Sequence, residues 1–327
     1  MDFAFSKDQE LIRSSVREFL KKECPKDSVR ELKGSEKGYD PKVWKKMVKL
    51  GFQGLVIPEE YGGTEGEFYD LVIFMEEAGR NIFPSPYFST VCLCSMPLLE
   101  YATAEQKKKY LPKIAAKGAI WSLALKEETD SYESGDIRLR ADLQGDEYVL
   151  NGKKLFVPYA NSADHILVVA RTDDEAGEGG ITVFIVDCKS AGLETEIIPT
   201  VSHDTRCEVR FNDVKVPGEN ILGEQGRGWQ IVDYILTVGA LLKSAEVSGS
   251  AQAVVDITTR YARERHQFDK PIGSFQVIQH RLVDHLCEID GLKNLVYEAA
   301  ETINSGNPSK RLCSMAKLKA NQVHKGI

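Results

Sequence analysis

The sequence lacks the features that would mark a nucleic-acid-binding or membrane-spanning protein. Acidic side chains outnumber basic ones by 49 to 42 among its 327 residues, which gives a formal net charge of −7. Nucleic-acid binders normally carry a basic face, so this balance argues against such a partner. The longest apolar runs are also far too short to cross a bilayer, and no membrane span is expected.

Cysteines with paired spacing are also missing. The seven cysteines are odd in number and scattered, and Cys92 and Cys94 stand too close together to form half of a zinc site. We therefore interpret Cys92 and Cys94 as buried thiols and expect no metal site. The first six residues lack the basic start and the apolar core of a signal peptide. A reducing cytoplasm is thus the expected compartment.

Periodicity divides the chain into three regions. Residues 1–117 show apolar positions at helical spacing, beginning after a capping-box pattern in which Gln9 follows Ser6 by three positions. Residues 118–226 contain short β-rich runs separated by Gly, Asn and Asp turns. Residues 227–327 are helical again. We therefore predict an α+β protein with an N-terminal helical domain, a strand-built middle domain and a C-terminal helical domain at these boundaries.

The stretch from 263 to 279 joins two of the predicted C-terminal helices. The first helix breaks near Asp269-Lys270-Pro271, because proline has no amide proton and restricts the residue before it. The second helix begins at about Ser274 and carries an apolar stripe at helical spacing. The turn between them brings together an arginine, a glutamine and a phenylalanine: Arg265, Gln267 and Phe268. An ordinary helical hairpin with a surface arginine explains this stretch, taken alone, equally well.

The same turn carries a resemblance to a known family. Arg265-His266-Gln267-Phe268, followed by Pro271-Ile272 and Phe275-Gln276, is similar to the Arg-x-x-Phe-x-x-Pro-Ile-x-x-x-Gln signature of the flavin-dependent acyl-CoA dehydrogenases. Other phrases similar to that family occur along the chain: Pro58-Glu59-Glu60-Tyr61-Gly62-Gly63, Asn151-Gly152-Lys153-Lys154 and Leu222-Gly223-Glu224-Gln225-Gly226. The resemblance covers essentially the whole chain. It implies an acyl-CoA dehydrogenase-like fold, with a β-barrel or sandwich as the middle domain and a helical bundle at the C-terminus.

The resemblance also implies a flavoprotein with FAD as its cofactor. Its reaction would be the α,β-dehydrogenation of an acyl-CoA thioester to the 2-enoyl-CoA, with electrons passed to electron-transferring flavoprotein. In that family the turn reaches across a subunit interface and holds the neighbour's FAD, and the residues at those positions are Arg265, Gln267, Phe268 and Gln276. A guanidinium fork suits pyrophosphate oxygens, and a phenylalanine ring packs against a flat ring system. A homo- or hetero-oligomer, either a dimer or a tetramer, is therefore expected, since a monomer would leave this surface exposed.

Two segments of the middle region resemble the family's flavin-facing motifs, with departures. Leu125-Lys126-Glu127-Glu128 aligns with a Val-Thr-Glu-Pro stretch, so Lys126 replaces the flavin-binding threonine. The family's glycine-rich turn follows at 129–133, where the glycines are replaced. Phe156-Val157-Pro158 aligns with Trp-Ile-Thr: Phe156 preserves an aromatic wall, but Pro158 cannot donate a hydrogen bond to flavin N5. The resemblance implies four cofactor contacts in these segments: Leu125, Lys126, Phe156 and Pro158.

No catalytic base stands at either of the two places that the family uses. One place lies in a C-terminal helix region beyond Ile327, and we expect the sequence to be cut off before it, since the last predicted helix has no stop signal. The other place falls on Gly239, which has no side chain. Glu246, two helical turns later on the same face, is the nearest substitute, although a structural glutamate explains it more simply. Asp233 and Tyr234 are weaker candidates of the same kind.

Two other functions stay open beside dehydrogenation. A non-catalytic subunit of a heteromeric acyl-CoA dehydrogenase would complete a partner's FAD site, keeping the turn around Arg265 while its own flavin-facing segments diverge. A family member that keeps FAD but runs a different reaction on a CoA ester is the third possibility. Dehydrogenation is the leading hypothesis, with the activity of this chain alone left open.

Overall fold

The structure, a computed structural model, describes residues 5–129, 131–173 and 177–327. They form two compact units. The helical unit comprises the chain up to Val29, Glu67–Phe83 and Thr237–Ile327, and the sheet unit comprises Arg30–Gly66 and Pro84–Leu236. Both units combine segments that are far apart in the sequence. The predicted division into three domains at 117 and 226 stays a prediction.

Helices precede and follow a run of strands along the chain. The first helices are α1 (Lys7–Glu23), α2 (Lys26–Leu32), α3 (Pro41–Lys49), α4 (Phe68–Arg80), α5 (Met96–Tyr101) and α6 (Ala104–Ala115). The strands are β1 (Trp121–Ala124), β2 (Arg140–Gln144), β3 (Glu147–Pro158), β4 (His165–Arg171), β5 (Ile181–Asp187), β6 (Leu193–Ile198), β7 (Arg206–Pro217) and β8 (Ile221–Leu222). The chain ends with α7 (Gly228–Glu264), the short strands β9 (His266–Gln267) and β10 (Lys270–Pro271), α8 (Gln276–Asn304) and α9 (Lys310–Gly326). This order confirms the predicted α+β class.

A buried polar cluster joins the helices of the helical unit. The Glu76 carboxylate in α4 accepts hydrogen bonds from the Tyr297 hydroxyl in α8 at 2.7 Å and from the Ser248 hydroxyl in α7 at 3.2 Å. Arg13 in α1 completes the cluster, since its guanidinium lies 3.2 Å from the same carboxylate. Burial raises the pKa of Glu76, and the hydrogen bonds and positive charges around it act in the opposite direction. One carboxylate thus links four helices.

Two glycines allow the backbones of α4 and α7 to touch. A Cβ atom on Gly79 would lie 1.8 Å from the Glu246 carbonyl oxygen, and one on Gly249 would lie 1.8 Å from the Glu76 carbonyl oxygen. Cβ atoms essentially never approach another atom closer than 3.0 Å, so both positions need glycine for this approach. The small residues of the α7 sequence therefore serve helix packing at this point.

The strands of the sheet unit form a single sheet in the order β6-β7-β3-β2-β4-β5-β8, with β1 paired to β4. The central strand β4 is apolar on both faces. Leu167 and Val169 pack in a core shared with helices, whereas Val168 and Ala170 pack in a second core shared with β3 and β7. Alternate residues of a strand face opposite sides, so a strand covered on both faces reads as a continuous apolar run.

Within the described ranges, none of the helices has both the length and the apolar character needed to cross a membrane. Across those residues, no three His, Cys, Asp or Glu side chains meet in a way that could hold a metal ion. All seven cysteines fall inside the described ranges and are free thiols. Cys92 and Cys94 are buried, as predicted, whereas Cys287 is exposed on α8 and Cys188 is only partly buried.

Candidate functional site

The segment after β1 runs beside the end of β3 in the sheet unit. The Leu155 N–H donates to the Lys126 carbonyl oxygen over 2.8 Å, and the buried Ser122 hydroxyl donates to the Pro158 carbonyl oxygen. Both segments are therefore fixed to each other by hydrogen bonds to the backbone. The structure thus brings together the four cofactor contacts predicted in this region: Leu125, Lys126, Phe156 and Pro158.

Phe156 occupies a bulge in β3. Lys154 pairs with Val209, whereas Val157 pairs with Cys207, so β3 carries one extra residue opposite β7. Phe156 takes a left-handed φ of +55° there, and its side chain is 43% exposed. Bulky residues rarely adopt this φ, and bulges beside functional sites redirect a side chain. The sheet therefore turns an aromatic ring towards solvent at a cost in backbone strain.

Lys126 supplies a cation on the segment that the Leu155 N–H binds. Its side chain is half-buried, and its ammonium stands 4.9 Å from the centre of the Tyr132 ring as a cation–π contact. Three residues further on, the Thr129 hydroxyl oxygen is buried and has no hydrogen-bond partner among the described groups. Asp130, in the segment predicted to replace a glycine-rich turn, lies outside the described residues. An outward-facing aromatic ring, a cation and an unpaired hydroxyl together suit a flat, polar, negatively charged ligand.

A buried ion pair that the sequence did not suggest connects the two segments. The Lys154 side chain is 0% exposed, and its ammonium donates to the Glu127 carboxylate over 2.7 Å and to the Leu125 carbonyl oxygen over 3.0 Å. The same carboxylate accepts the backbone N–H groups of Arg138 and Leu139, each at 3.0 Å. Burial lowers the pKa of Lys154 to about 8, although the charge of Glu127 opposes this shift. The overlooked signal was a lysine at an inward position of β3, since alternate strand residues share a face.

In the helical unit, the turn between α7 and α8 is a tight hairpin. α7 ends at Glu264, and β9 pairs with β10 around two residues with positive φ, Phe268 at +54° and Asp269 at +61°. Hairpin turns with two left-handed residues normally use Asn, Asp or Gly, so Phe268 is the strained residue of this pair. The Phe268 ring is 85% exposed and meets Phe275 edge-on, with ring centres 6.1 Å apart.

The polar side chains of this hairpin are also exposed. Three of them are the predicted contacts to a neighbour's cofactor: Arg265, Gln267 and Gln276. Packing within the chain does not explain why a large apolar ring and an exposed arginine share a strained, solvent-facing turn. Exposed apolar groups held in this way are typical of surfaces that bind a ligand or a partner.

The candidates for a catalytic base lie on α7. Gly239 is buried and has no side chain, as the sequence indicated. The Glu246 carboxylate forms a salt bridge with Lys243 one turn earlier, and the Glu246 backbone contacts Gly79 at the helix crossing. Both contacts favour a structural role for Glu246, and its catalytic role stays a prediction.

The two weaker candidates, Asp233 and Tyr234, lie in the part of α7 that belongs to the sheet unit. The Tyr234 ring packs edge-on against Tyr101 with ring centres 5.6 Å apart, and burial raises the pKa of Tyr234. A phenol with a raised pKa holds its proton, so Tyr234 is poorly suited to remove one.

Comparison with known families matches nearly the whole chain. The models described as the N-terminal, middle and C-terminal domains of acyl-CoA dehydrogenase match residues 6–118, 122–214 and 226–327, respectively. The three matches follow one another in the order found in the chain.

Individual proteins agree with this result. The probable acyl-CoA dehydrogenase YngJ of Bacillus subtilis is 33% identical over 330 residues, which cover 99% of this chain and 86% of YngJ. The caffeyl-CoA reductase-Etf complex subunit CarC of Acetobacterium woodii is 35% identical over 324 residues, which cover 98% of this chain and 85% of CarC. Among solved structures, butyryl-CoA dehydrogenase from Megasphaera elsdenii gives a TM-score of 0.92 at 30% identity, covering 99% of this chain and 86% of that one.

Proposed function

Since the chain belongs to the acyl-CoA dehydrogenase family, whose members are flavin-dependent oxidoreductases acting on CH–CH groups, we propose that it binds FAD and oxidises an acyl-CoA thioester to the 2-enoyl-CoA. We propose electron-transferring flavoprotein as the electron acceptor. The relative from Acetobacterium woodii supports this partner, because its name describes a complex with Etf. The solved butyryl-CoA dehydrogenase supports a CoA thioester as the substrate.

The observation that carries this proposal is the edge of the sheet unit where the exposed Phe156 follows Leu155, whose N–H binds the Lys126 carbonyl oxygen. Three residues after Lys126, the buried Thr129 hydroxyl has no hydrogen-bond partner among the described groups. These groups fit FAD, because its flavin is a flat aromatic ring system with polar edges. The Phe156 ring would pack against a bound flavin, the Thr129 hydroxyl would gain a hydrogen-bond partner, and the Lys126 ammonium would attract negative charge. Bound FAD supplies the two-electron acceptor that takes the substrate's β hydrogen as hydride.

Removal of the α proton requires a base, because a proton next to a thioester is only weakly acidic. Gly239 cannot supply one. Glu246 remains our candidate within this chain, and to act it must release the Lys243 ammonium that it binds. A carboxylate freed from its lysine partner binds a proton more readily, because a nearby positive charge favours the ionised form.

We further propose that Arg265, Gln267, Phe268 and Gln276 complete the FAD site of a neighbouring subunit. The Arg265 fork would bind pyrophosphate oxygens, and the exposed Phe268 ring would cover part of the cofactor. The protein is then a dimer or tetramer. Light scattering combined with flavin absorbance tests this assignment, and a monomer that still retains FAD would contradict it.

A reducing compartment such as the cytoplasm is proposed as the location. All seven cysteines are free thiols, including the exposed Cys287. Oxidising compartments favour disulfides, so a chain with this many free thiols suits a reducing one.

The visible absorption spectrum of the purified protein is the direct test of the function. A yellow protein that bleaches on addition of one saturated acyl-CoA ester supports dehydrogenation and identifies the substrate class. We expect Phe156→Ala to weaken FAD binding about tenfold, since losing aromatic packing costs about 1 kcal/mol or more. Ile197→Ala is the matched control, because Ile197 is 42% exposed and also lies on a strand of the sheet unit. Equal FAD affinity in the two variants would contradict the assignment of Phe156.

A non-catalytic subunit is the second candidate function. It is favoured by the glycine at position 239 and by Pro158, which has no N–H to donate. Such a subunit would be colourless alone and would raise FAD binding only when mixed with a partner chain. A yellow protein that no saturated ester bleaches, but that an enoyl-CoA re-oxidises after its flavin has been reduced with dithionite, would instead favour a reductase.

A further inference from the structure

The Lys154–Glu127 ion pair lies directly beneath the candidate flavin-facing edge of the sheet unit. Lys154 is two residues before Phe156 on β3, and Glu127 directly follows Lys126. Both side chains are buried, with 0% of the lysine and 10% of the glutamate side chain exposed. The pair is therefore largely shielded from solvent and from any ligand at that edge. It lies within two residues of the groups that face outward.

This pair connects three backbone segments: the segment after β1, β3, and the residues that lead into β2. The Lys154 ammonium holds the Leu125 carbonyl oxygen at 3.0 Å, and the Glu127 carboxylate holds the N–H groups of Arg138 and Leu139. Between these two anchors, the Lys126 carbonyl oxygen is held by the Leu155 N–H. The chain around Lys126 is thus fixed at three consecutive residues. The pair connects the segment after β1 both to β3 and to the start of β2.

A buried ion pair of this kind is a poor source of fold stability. Removing two charges from water costs several kcal/mol per ion, roughly what their attraction returns, and apolar replacements of similar volume are often neutral or stabilising. The lowered pKa of Lys154 agrees with this balance, because desolvation of the ammonium outweighs its attraction to Glu127. The pair is therefore better explained by the backbone positions that it fixes than by a contribution to the free energy of unfolding.

We propose that Lys154 and Glu127 are positioning residues for the cofactor, holding the Lys126 backbone and the Phe156 bulge in the arrangement that binds FAD. This inference rests on the proposed function. Without the pair, the fold would remain, but the segment after β1 would lose its side-chain link to β3 and to the start of β2. Loss of the pair would then lower the affinity for FAD and leave the free energy of unfolding unchanged.

The test compares two double variants that differ in burial. Lys154→Met/Glu127→Gln replaces the buried pair by neutral side chains of similar size, and the E127Q change still leaves an amide oxygen that can accept a backbone N–H. Lys153→Met/Glu128→Gln is the matched control, because that ion pair joins the neighbouring positions of the same two segments but is exposed. For each protein, FAD affinity is titrated by flavin fluorescence, the flavin absorption band is recorded, and the unfolding midpoint is measured without FAD.

We expect the buried-pair variant to bind FAD at least about tenfold more weakly, which is about 1.4 kcal/mol, with a shifted flavin band and an unchanged apoprotein midpoint. The exposed-pair variant should match the wild type in all three measurements. Unchanged FAD affinity and band in the buried-pair variant would overturn the inference while leaving the proposed function intact. The inference would also be overturned if the unfolding midpoint of the buried-pair variant without FAD fell far enough to account for its weaker FAD binding. A wild-type protein that binds no FAD overturns the proposed function first, and the inference with it.

Discussion

Substituting Gly249 by alanine tests the contact between α4 and α7. In an unobstructed helix this change stabilises by up to about 1 kcal/mol, because alanine is the better helix former. At this position the new Cβ atom would lie 1.8 Å from the Glu76 carbonyl oxygen, where 3.0 Å is the closest approach that occurs. The obstacle is backbone, which cannot rotate away as a side chain could. The two helices must therefore separate by about an ångström.

The cost of that separation exceeds the gain. Overpacking a tight core costs about 1–3 kcal/mol, and occasionally more. Separation would also stretch the hydrogen bond from the Ser248 hydroxyl to the Glu76 carboxylate, which is already 3.2 Å long. We expect Gly249→Ala to destabilise by about 2 kcal/mol net, which lowers Tm by about 3 °C for a protein of this size.

Gly291→Ala in α8 is the matched control for this prediction. Its Cβ atom would meet only the end of the Lys319 side chain, at 3.9 Å, so we expect stabilisation of about 0.5–1 kcal/mol. Thermal unfolding followed by circular dichroism measures both variants. Equal rises in Tm would refute the close helix contact, because then both glycines would have been replaceable.

Two further predictions concern the cofactor. The pKa of Lys154 lies near 8, and Glu127 is the charged group that faces it, so we expect FAD affinity to fall as pH rises above 8. The fold should not weaken in that range. The pKa of Lys154 is lower in the folded state than in the unfolded state, so the unfolded state binds more protons between the two pKa values. The free energy of unfolding therefore rises with pH there. FAD titrations and apoprotein unfolding at pH 7 to about 9.5 check both signs. Arg265→Lys keeps the charge but loses the bidentate fork, so FAD affinity should fall about tenfold, whereas Arg260→Lys, at another exposed position, should not change it.

Much of the fold follows from the periodicity of the sequence. α7 spans Gly228–Glu264 in the region predicted to be helical from 227 onward, because apolar and small residues continue without a breaker until the hairpin. β2 and β6 lack the apolar pattern that marks a strand in the sequence, since most of their residues are exposed and polar. Such strands are held by the hydrogen bonds of neighbouring strands, which single-sequence patterns do not contain.

The candidate site was only partly predictable. The resemblance selected Lys126 and Phe156 by alignment, but no pattern indicated the bulge that turns Phe156 outward or the buried pair beneath it. A bulge depends on the register between β3 and β7, and their residues are about fifty positions apart. In the sequence Lys154 is one of two consecutive lysines, Lys153 and Lys154, and the burial of its charge can be recognised only once the position of Glu127 is known.

Backbone strain gives support for the cofactor assignment that does not depend on sequence resemblance. Among the described phenylalanines, two have positive φ, Phe156 and Phe268, and the same two are the exposed ones. Strain of this kind costs on the order of 1–3 kcal/mol per residue, and an exposed ring recovers none of that through burial within its own chain. Both are among the eight residues that the resemblance assigned to FAD. In the proposed arrangement, the chain's own FAD would contact Phe156 and a neighbouring subunit's FAD would contact Phe268, so each ring would gain the apolar contact that the isolated chain does not give it.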